Sequence, residues 1–481
     1  MGGGMGGGMG GGMGGIQPQV PQQLHQFAPG AALAGLRRTG QSAKHDGYFM
    51  AQTLRDEFWQ RRATTLSLGD PNDERLGDVA NLGVRQYHTF VPLDDASRAK
   101  GRSRSLGQPT SLFKVLSDTD GECYALRRAE GGAVGASALE KGLFASVHHP
   151  HLVRFVEAFN SDEEGSMHTY FVHAYHPAAV TLETHYFSHH SPVVEDKLWG
   201  HALQLLSAIH AVHLAGGALR QLDPAHILLT LKTMTVRITD AATLDVLRPE
   251  TKSIGQLQAD DLNSLGRLLV TLCCQSPTAA TQTSLPKSMA YIAASFSADF
   301  QQLLRLLLGS PTPSVHDVLA LCSGRMMTHV AQTQWYADAL ATELAKECEN
   351  GRLLRLLAKL NFVSDRSALG MDGEWGSHAD RELMRMFRDS LFQENDEAGG
   401  AVVDFAHVVQ GLNRLDFGHE GKLLISRPHD GAMLLVSPKD LKGLLEQSFQ
   451  EIVDSPGAMQ MQAEQMGGGG MGGGGMAPDI H

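Results

Sequence analysis

One short stretch, residues 219–230, constrains the fold and the chemistry of this 481-residue chain more than any other part of its sequence. It reads L-R-Q-L-D-P-A-H-I-L-L-T, so a polar segment leads directly into an apolar run. Its third residue, Gln221, carries a neutral amide, which donates and accepts hydrogen bonds but does not take up a proton at ordinary pH. Gln221 therefore cannot serve as a general base, whatever fold the chain adopts.

The same stretch resembles the catalytic loop of protein kinases, written H-R-D-L-x-x-x-N. In that loop the Asp accepts the proton of the substrate hydroxyl and the Asn binds a magnesium ion. This chain keeps Arg220 and Leu222, but it has Gln221 in place of the Asp and His226 in place of the Asn. The resemblance implies a kinase fold that has lost phosphoryl transfer.

Flanking segments follow the order of a kinase domain. Residues 123–128 resemble the third strand of the small lobe, with Arg127 in place of the phosphate-binding Lys and Glu140 as a candidate partner for it. Arg keeps the charge, although a planar guanidinium is not equivalent to an ammonium group. Asp240 stands where D-F-G would begin. Between Tyr87 and Phe113 there is no G-x-G-x-x-G, only a basic insert and Gly107, so a glycine loop is not expected to hold phosphates.

Further residues make the resemblance more specific. They are Tyr48-Phe49-Met50 with Leu54-Arg55 and Glu57, then Asp70-Pro71-Asn72-Asp73 and Gln86-Tyr87-His88; Asp260-Asp261-Leu262 with Ser264-Leu265-Gly266; and Leu344-Ala345-Lys346-Glu347 followed by the run from Asn350 to Leu360. Over residues 46–455 the chain resembles the pseudokinase regulatory subunits of the Pan poly(A)-nuclease deadenylation complex. The long run from Asn350 to Leu360 carries most of this specificity.

The resemblance implies a function without catalysis by this chain itself. It implies a cytoplasmic homodimer that binds ATP without hydrolysing it, and that recruits and stimulates a catalytic poly(A)-nuclease subunit to shorten poly(A) tails and promote mRNA decay. Poly(A)-binding protein and poly(A) RNA are further candidate partners. A zinc finger and a docking motif for poly(A)-binding protein, both frequent in the family, are not evident, and residues 27–30 match only the end of that motif.

The resemblance also places a nucleotide site between the two lobes. Arg127 would contact phosphate, and residues 176–181 would form the hinge next to the last small-lobe strand. Ala174 stands where the family has an acidic hinge residue, so the strength of nucleotide binding is open. The complete set of implied cofactor-binding residues is Arg127, Ala174, Tyr175, His176, Pro177, Ala178, Ala179, Val180, Thr181, Ala225 and His226.

The resemblance implies an α+β fold: a bilobal, protein-kinase-like pseudokinase, then a coiled-coil helix and a small C-terminal knob. Predicted strands cover residues 87–93, 111–116, 123–128, 170–175 and 236–238, with a turn at 119–121, and predicted helices cover 50–63, 198–215, 260–274, 298–308 and 380–392. The domains are predicted as a tail at 1–45, the pseudokinase at 46–325, the coiled coil at 326–363, the knob at 364–455 and a second tail at 456–481. Both tails contain M-G-G-G repeats.

The predicted coiled coil depends on a short apolar seam. Met326, Val330, Ala337, Leu340 and Leu344 follow alternating spacings of four and three, Thr333 fills one position, and Glu347 interrupts the pattern. Two or three heptads are equally typical of a single amphipathic helix packed on its own domain. The family resemblance favours a dimer.

Composition limits the remaining possibilities. A net charge of −12 disfavours a protein whose main task is to bind nucleic-acid backbone. The five cysteines form no C-x-x-C and are expected to be reduced, and no apolar run reaches the length of a membrane span.

Histidine groups at 148–151 and 189–190 lack Cys or carboxylate partners at ligand spacing, so turn residues are favoured over a metal site and no metal is expected. The basic residues between Arg98 and Arg104 are expected to form a solvated insertion, with contact to RNA or phosphorylation as the alternatives.

Two other functions are compatible with the kinase-like order alone. A divergent active kinase could use Asp240 with a base that the sequence does not reveal. An unrelated pseudokinase scaffold is the second alternative. The run from Asn350 to Leu360 favours the deadenylation subunit over both.

Overall fold

The computed structural model of the chain describes residues 48–70, 72–76, 84–94, 106–130, 134–135, 143–163, 166–220, 222–230, 233–248, 251–365, 379–393, 395, 398–426, 431 and 433–454. Among these, residues 52–338 form one compact unit, and residues 48–51 with 339–454 form a second. Glu140, Gln221, the insert between Arg98 and Arg104, residues 27–30 and both glycine-rich ends lie outside the described residues.

An antiparallel sheet of five strands forms the small lobe of the first unit. The strands are β1 (Tyr87–Pro92), β2 (Thr110–Ser117), β3 (Cys123–Glu130), β4 (Phe155–Glu163) and β5 (Ser166–Ala174), in the spatial order β1-β2-β3-β5-β4. Phe113, Leu126 and Phe159 are among the buried side chains that form its core. The predicted β2–β3 hairpin is confirmed, and Gly121 takes a φ of 71° at its turn, where glycine is favoured.

The large lobe of the first unit is mainly helical. It contains α2 (Glu195–Leu214), α3 (Ala241–Leu247), α4 (Ile254–Cys273), α5 (Leu285–Ser295) and α6 (Ala298–Leu307), with a small sheet of β6 (Val180–Thr181), β7 (Ile227–Thr230) and β8 (Thr235–Ile238). The predicted helix at 298–308 corresponds to α6, and its apolar residues Phe300, Leu303, Leu304 and Leu307 are all buried. A capping box between Ser253 and Gln256 fixes the start of α4.

A helix before the sheet, α1 (Gln52–Leu66), is held to the small lobe by one lysine. The ammonium of Lys114 on β2 donates to the carbonyl oxygens of Thr64, Thr65 and Ser67, at 3.1, 3.0 and 2.5 Å. These carbonyls lie at and just beyond the end of the helix, where backbone acceptors have no partner within the helix. A cation there also interacts favourably with the helix dipole.

The second unit is built around the C-terminal part of α7 (Val315–Asp365), a helix of 51 residues. It also contains α8 (Ala379–Phe392), α9 (Phe405–Phe417), the hairpin β9 (Leu423–Ser426) and β10 (Met433–Val436), and α10 (Pro438–Val453). Leu356 and Leu360 of α7 share a core with Phe387, Leu415 and Leu441. The predicted coiled-coil segment, residues 326–363, thus lies inside a helix that starts earlier and ends in the knob core.

Residues 48–51 bind directly to α7 within the second unit. The amide of Met50 donates to Glu347 Oε1 at 2.9 Å, and the amide of Ala51 donates to Glu343 Oε2 at 2.8 Å. Asn350 Nδ2 donates to the carbonyl oxygen of Tyr48 at 3.1 Å. Glu347, which interrupts the apolar seam, therefore has a structural role. It accepts a backbone hydrogen bond from a residue nearly 300 positions away in sequence.

Within the described residues, no helix combines the length and the apolar character needed to cross a membrane.

Several histidines of the first unit are buried or half-buried. His201 on α2 is fully buried, and its Nε2 lies 3.0 Å from the hydroxyl of Tyr186. Burial lowers the pKa of His201 to about 3, and it lowers the pKa of His151 to about 4. No group of three or more His, Cys, Asp or Glu side chains is placed to hold a metal in the part of the chain that is described.

We expect the first unit to lose stability as the pH falls from 7.5 to 5.5. His201 is neutral when folded, whereas it takes up a proton below about pH 6.5 when unfolded, so the unfolded state binds more protons and is favoured by acid. One such group costs about 1.4 kcal/mol for each pH unit below 6.5. In His201→Gln, urea unfolding should show a slope against pH that is smaller by about one proton. The same change at exposed His189 should leave the slope unchanged, and equal slopes in all three proteins would contradict the assignment.

Candidate functional site

A buried ion pair lies between the two lobes, at the position that the sequence assigns to nucleotide phosphates. Arg127 comes from the middle of β3, and Asp240 follows β8. Arg127 Nε donates to Asp240 Oδ1 at 2.8 Å, and a terminal nitrogen donates to Oδ2 at 2.9 Å. This is the two-pronged geometry in which arginine binds a carboxylate most strongly. Both side chains are nearly inaccessible to solvent.

Asp240 receives two further hydrogen bonds from neighbouring polar residues. His226 Nδ1 lies 2.8 Å from Asp240 Oδ2, and the hydroxyl of Thr239 donates to the same oxygen at 2.8 Å. The backbone of Asp240 is left-handed, with a φ of 60°, and α3 begins at the next residue. This turn sends Ala241 and Ala242 into the core while the carboxylate stays in the cleft.

The electrostatics of the pair follow from burial and mutual attraction. Burial alone would raise the pKa of Asp240, but the charge of Arg127 and the hydrogen bond from His226 outweigh it, so that pKa lies well below its usual range. Burial alone would likewise lower the pKa of Arg127, and the charges of Asp240 and Asp94 reverse that effect. Both groups are therefore charged near neutral pH, as a stable buried pair requires.

His173, the second-last residue of β5, has a polar atom that lacks a partner among the described residues. The side chain is 4% exposed, and no hydrogen bond reaches its Nε2. Burial lowers the pKa of His173, with opposing influences from nearby Asp240 and Arg127, so the ring is neutral. A neutral imidazole can donate through one nitrogen and accept through the other. An unused buried polar atom of this kind favours a ligand or a water at the cleft.

The predicted hinge, residues 176–181, lies just after the end of β5. Ala174 ends β5, Pro177 and Ala178 form a turn, and Val180 and Thr181 form β6. Because β6 pairs with β7, which begins directly after His226, the hinge and the degenerate catalytic loop belong to one small sheet. Burial lowers the pKa of His176 to about 4, so this hinge side chain is neutral as well.

The remaining loop residues are engaged in local structure. The amide of Ala225 donates to the carboxylate of Asp223 at 2.9 Å, which starts the short helical turn Pro224–His226. Arg220 pairs with Asp245 at 2.8 Å, outside the group of residues around Arg127. Of the implied cofactor-binding residues, the structure brings Arg127 and His226 together through Asp240. It places the hinge residues on the adjoining strand and turn, and it uses the amide of Ala225 elsewhere.

Gly107, just before β2, shows why the loop above the cleft contains a glycine. Its φ is 77°, and a Cβ at this position would overlap the guanidinium of Arg248, which follows α3. A cationic side chain of the large lobe thus contacts the segment that covers phosphates in a kinase.

Sequence reasoning missed three residues near Arg127. The third donor nitrogen of Arg127 contacts the hydroxyl of Thr110 at 3.1 Å. Asp94 accepts from the amide of Leu112, and burial raises the pKa of Asp94 despite the nearby charge of Arg127. His173 is the third. None of the three belongs to a motif, and their proximity to Arg127 arises only when the strands assemble.

These residues fit a nucleotide better than a nucleotide with its magnesium ion. Arg127 and Thr110 offer donors for phosphate oxygens, and His173 offers an unused polar atom beside the hinge. The two positions that hold magnesium in a kinase carry His226 and the fully engaged Asp240. Magnesium prefers oxygen ligands in octahedral geometry, which this pair does not supply.

Comparison with known sequences supports one family. The Pan3 C-terminal knob domain family matches residues 315–452. The PAN2-PAN3 deadenylation complex subunit pan3 of Dictyostelium discoideum is 35% identical over 414 residues, covering 84% of this chain and 55% of that protein. The corresponding human subunit PAN3 is 29% identical over 447 residues, covering 85% of this chain and 50% of that protein. The chain thus spans little more than half the length of these relatives.

Comparison with solved structures supports a pseudokinase fold. A chain in the complex of Neurospora crassa PAN2 (WD40-CS1) with PAN3 (pseudokinase and C-term) matches with a TM-score of 0.73 and 26% identity, covering 83% of this chain and 99% of that one. The Drosophila melanogaster PAN3 pseudokinase matches with a TM-score of 0.69 and 29% identity, covering 78% of this chain and all of that one. The predicted fold class is confirmed, and so is the prediction of a pseudokinase rather than an enzyme. Over most of its length, the chain is similar to Pan3 subunits of the PAN2-PAN3 deadenylation complex.

Proposed function

We propose that this chain is the non-catalytic, ATP-binding and dimeric subunit of a cytoplasmic poly(A)-nuclease complex. In this function it recruits and stimulates a catalytic exonuclease that shortens poly(A) tails. The observation that carries the proposal is the joint presence of a kinase-like unit without a catalytic base and a C-terminal unit of the Pan3 knob family. Poly(A)-binding protein and poly(A) RNA are proposed as further partners.

Nucleotide binding is supported by the donors that face the cleft. The guanidinium of Arg127 has five N–H donors, and hydrogen bonds to Asp240 and Thr110 account for three of them. The remaining donors and the unused nitrogen of His173 are available to an anionic ligand. Hydrolysis is not expected, because Gln221 cannot accept a proton.

Dimerisation is supported by the exposure of most of the apolar seam on α7 beyond Met326, which itself packs against the large-lobe core. Leu344 is 61% exposed and Val330 is 49% exposed. Thr333 and Ala337 are exposed too. The adjoining face of the helix is in use, since Glu343 and Glu347 bind residues 50 and 51. An apolar seam left open beside an occupied face is typical of a helix that pairs with a second copy.

Nuclease binding is assigned to the knob, where the β9–β10 hairpin has one buried and one open face. Ile425 points into the knob core and is 2% exposed, whereas the cross-strand pair Leu424 and Leu435 is 65% and 62% exposed. Met433 adds to the same apolar surface. A contiguous exposed apolar surface on a small domain marks a protein interaction site.

Binding of ATP should depend on Arg127 without phosphate being transferred. Arg127→Ala removes the proposed phosphate contact and should weaken ATP binding at least about tenfold, since a hydrogen bond to a charged group contributes about 1.5–3 kcal/mol. Isothermal titration measures this effect. Arg220→Ala is the matched control, because it also removes a paired arginine, but one that is bound to Asp245 rather than to Asp240. Unchanged affinity in Arg127→Ala would remove Arg127 from the site, and phosphate transfer that Gln221→Ala abolishes would contradict the pseudokinase.

The dimer should dissociate when charge enters the seam. Leu340→Asp with Leu344→Asp places two carboxylates where apolar side chains of two helices would meet, so the dissociation constant should rise by at least about tenfold. Sedimentation velocity measures the change. Ala331→Asp introduces the same charge at an exposed position almost opposite the seam and should leave the dimer intact. A monomeric unmutated protein would refute the proposal.

Capture of the nuclease should depend on the open face of the hairpin. Leu424→Glu with Leu435→Glu keeps both strands but replaces the apolar pair with like charges, so recovery of the exonuclease subunit with tagged full-length protein should fall at least about tenfold. Leu68→Glu, at a residue that is 79% exposed in the first unit, serves as control. If both proteins recover the nuclease equally, another surface holds it.

A further inference from the structure

Asp240 has little capacity left for a metal ion. One carboxylate oxygen accepts from Arg127 Nε, and the other accepts from a terminal nitrogen of Arg127 and from Thr239, with His226 Nδ1 at 2.8 Å as well. In a kinase the equivalent Asp holds magnesium that bridges the phosphates. Here a cation at that place would have to displace a buried guanidinium and an imidazole together.

The residue at the position of the second metal ligand of a kinase also disfavours a metal ion in this cleft. Where a kinase has the Asn of its catalytic loop, this chain has His226, whose Nδ1 is directed at Asp240. Magnesium binds nitrogen ligands poorly and requires near-ideal octahedral oxygen geometry. The guanidinium of Arg127, by contrast, is a fixed positive charge with donors arranged to fit phosphate oxygens. It occupies the region where the metal charge would otherwise be needed.

We propose that this cleft binds nucleoside triphosphates without a divalent cation, with Arg127 supplying the positive charge that magnesium supplies in active kinases. This inference rests on the proposed binding of ATP at the same site. It implies that Asp240 and the phosphates compete for one guanidinium. A nucleotide therefore binds by taking over part of the hydrogen bonding that Arg127 gives to Asp240 in the structure.

The first test compares ATP affinity of the full-length protein in excess magnesium and in excess EDTA. We expect the two dissociation constants to agree within about threefold, or the EDTA value to be the tighter one, because uncomplexed ATP carries more negative charge toward Arg127. Binding that weakens more than about tenfold in EDTA would overturn the inference and leave the proposed ATP binding intact. No binding in either buffer would overturn both.

The second test measures how Asp240→Asn changes ATP affinity, because the proposal and a metal site predict changes in opposite directions. Asp240→Asn removes the charge that competes for Arg127 and keeps the shape, so ATP should bind several-fold more tightly than to the unmutated protein, in magnesium and in EDTA alike. At a metal-dependent site the same change would remove a ligand, so weaker binding in magnesium would refute the proposal. Asp245→Asn is the matched control, since Asp245 also pairs with an arginine, Arg220, rather than with Arg127, and the ATP affinity of this variant should equal that of the unmutated protein. Circular dichroism of each variant establishes that it is folded, and the comparison of buffers needs no variant.

Discussion

The pairing of Arg127 with Asp240 is the constraint on which the rest of the cleft depends. The two residues are 113 positions apart, and each would be a costly buried charge without the other. Breaking a buried pair by removing one partner typically costs about 3–5 kcal/mol. The third small-lobe strand and the loop after β8 are therefore held together. The positions of His226 and Thr239 follow from this pair, because both contact the same carboxylate.

The substitutions around the pair are mutually consistent rather than a set of independent losses. An Asn at position 226 would offer an oxygen to a metal, whereas the imidazole of His226 approaches Asp240 through a nitrogen. An arginine at position 127 reaches both carboxylate oxygens at once, which an ammonium group does less well. Ala241 and Ala242 replace the Phe and the Gly of D-F-G, and alanine favours the helix that begins there. Each of these substitutions is compatible with a buried ion pair, and none of them adds an oxygen ligand for a metal ion.

Much of the fold was predictable, because it depends on local pattern. The hairpin at Gly121, the apolar face of α6 and the order of kinase-like segments are all encoded by residues close in sequence. The continuity of α7 from Val315 to Asp365 was less predictable, since the heptad pattern only begins at Met326 and the capping interaction of Ser314 with Asp317 precedes it. The site was less predictable. Arg127 was recognised, but its observed pairing with Asp240 and its proximity to Thr110 and His173 depend on how distant strands and loops assemble.

A core built for stability alone would not need this cluster. Replacing a buried ion pair with apolar residues of similar volume is often neutral or stabilising, so a buried pair is weak support for a purely structural task. The cluster here is larger than one pair, since a histidine, a threonine and the unused nitrogen of His173 surround it. An anionic ligand can bind in such a cluster because a few donors are still unused. The ligand can take over some of the existing hydrogen bonds without leaving a charged group unpaired. The polar groups that the cleft keeps therefore favour an anionic ligand such as a nucleotide, whereas Gln221 and the occupied carboxylate of Asp240 disfavour kinase chemistry.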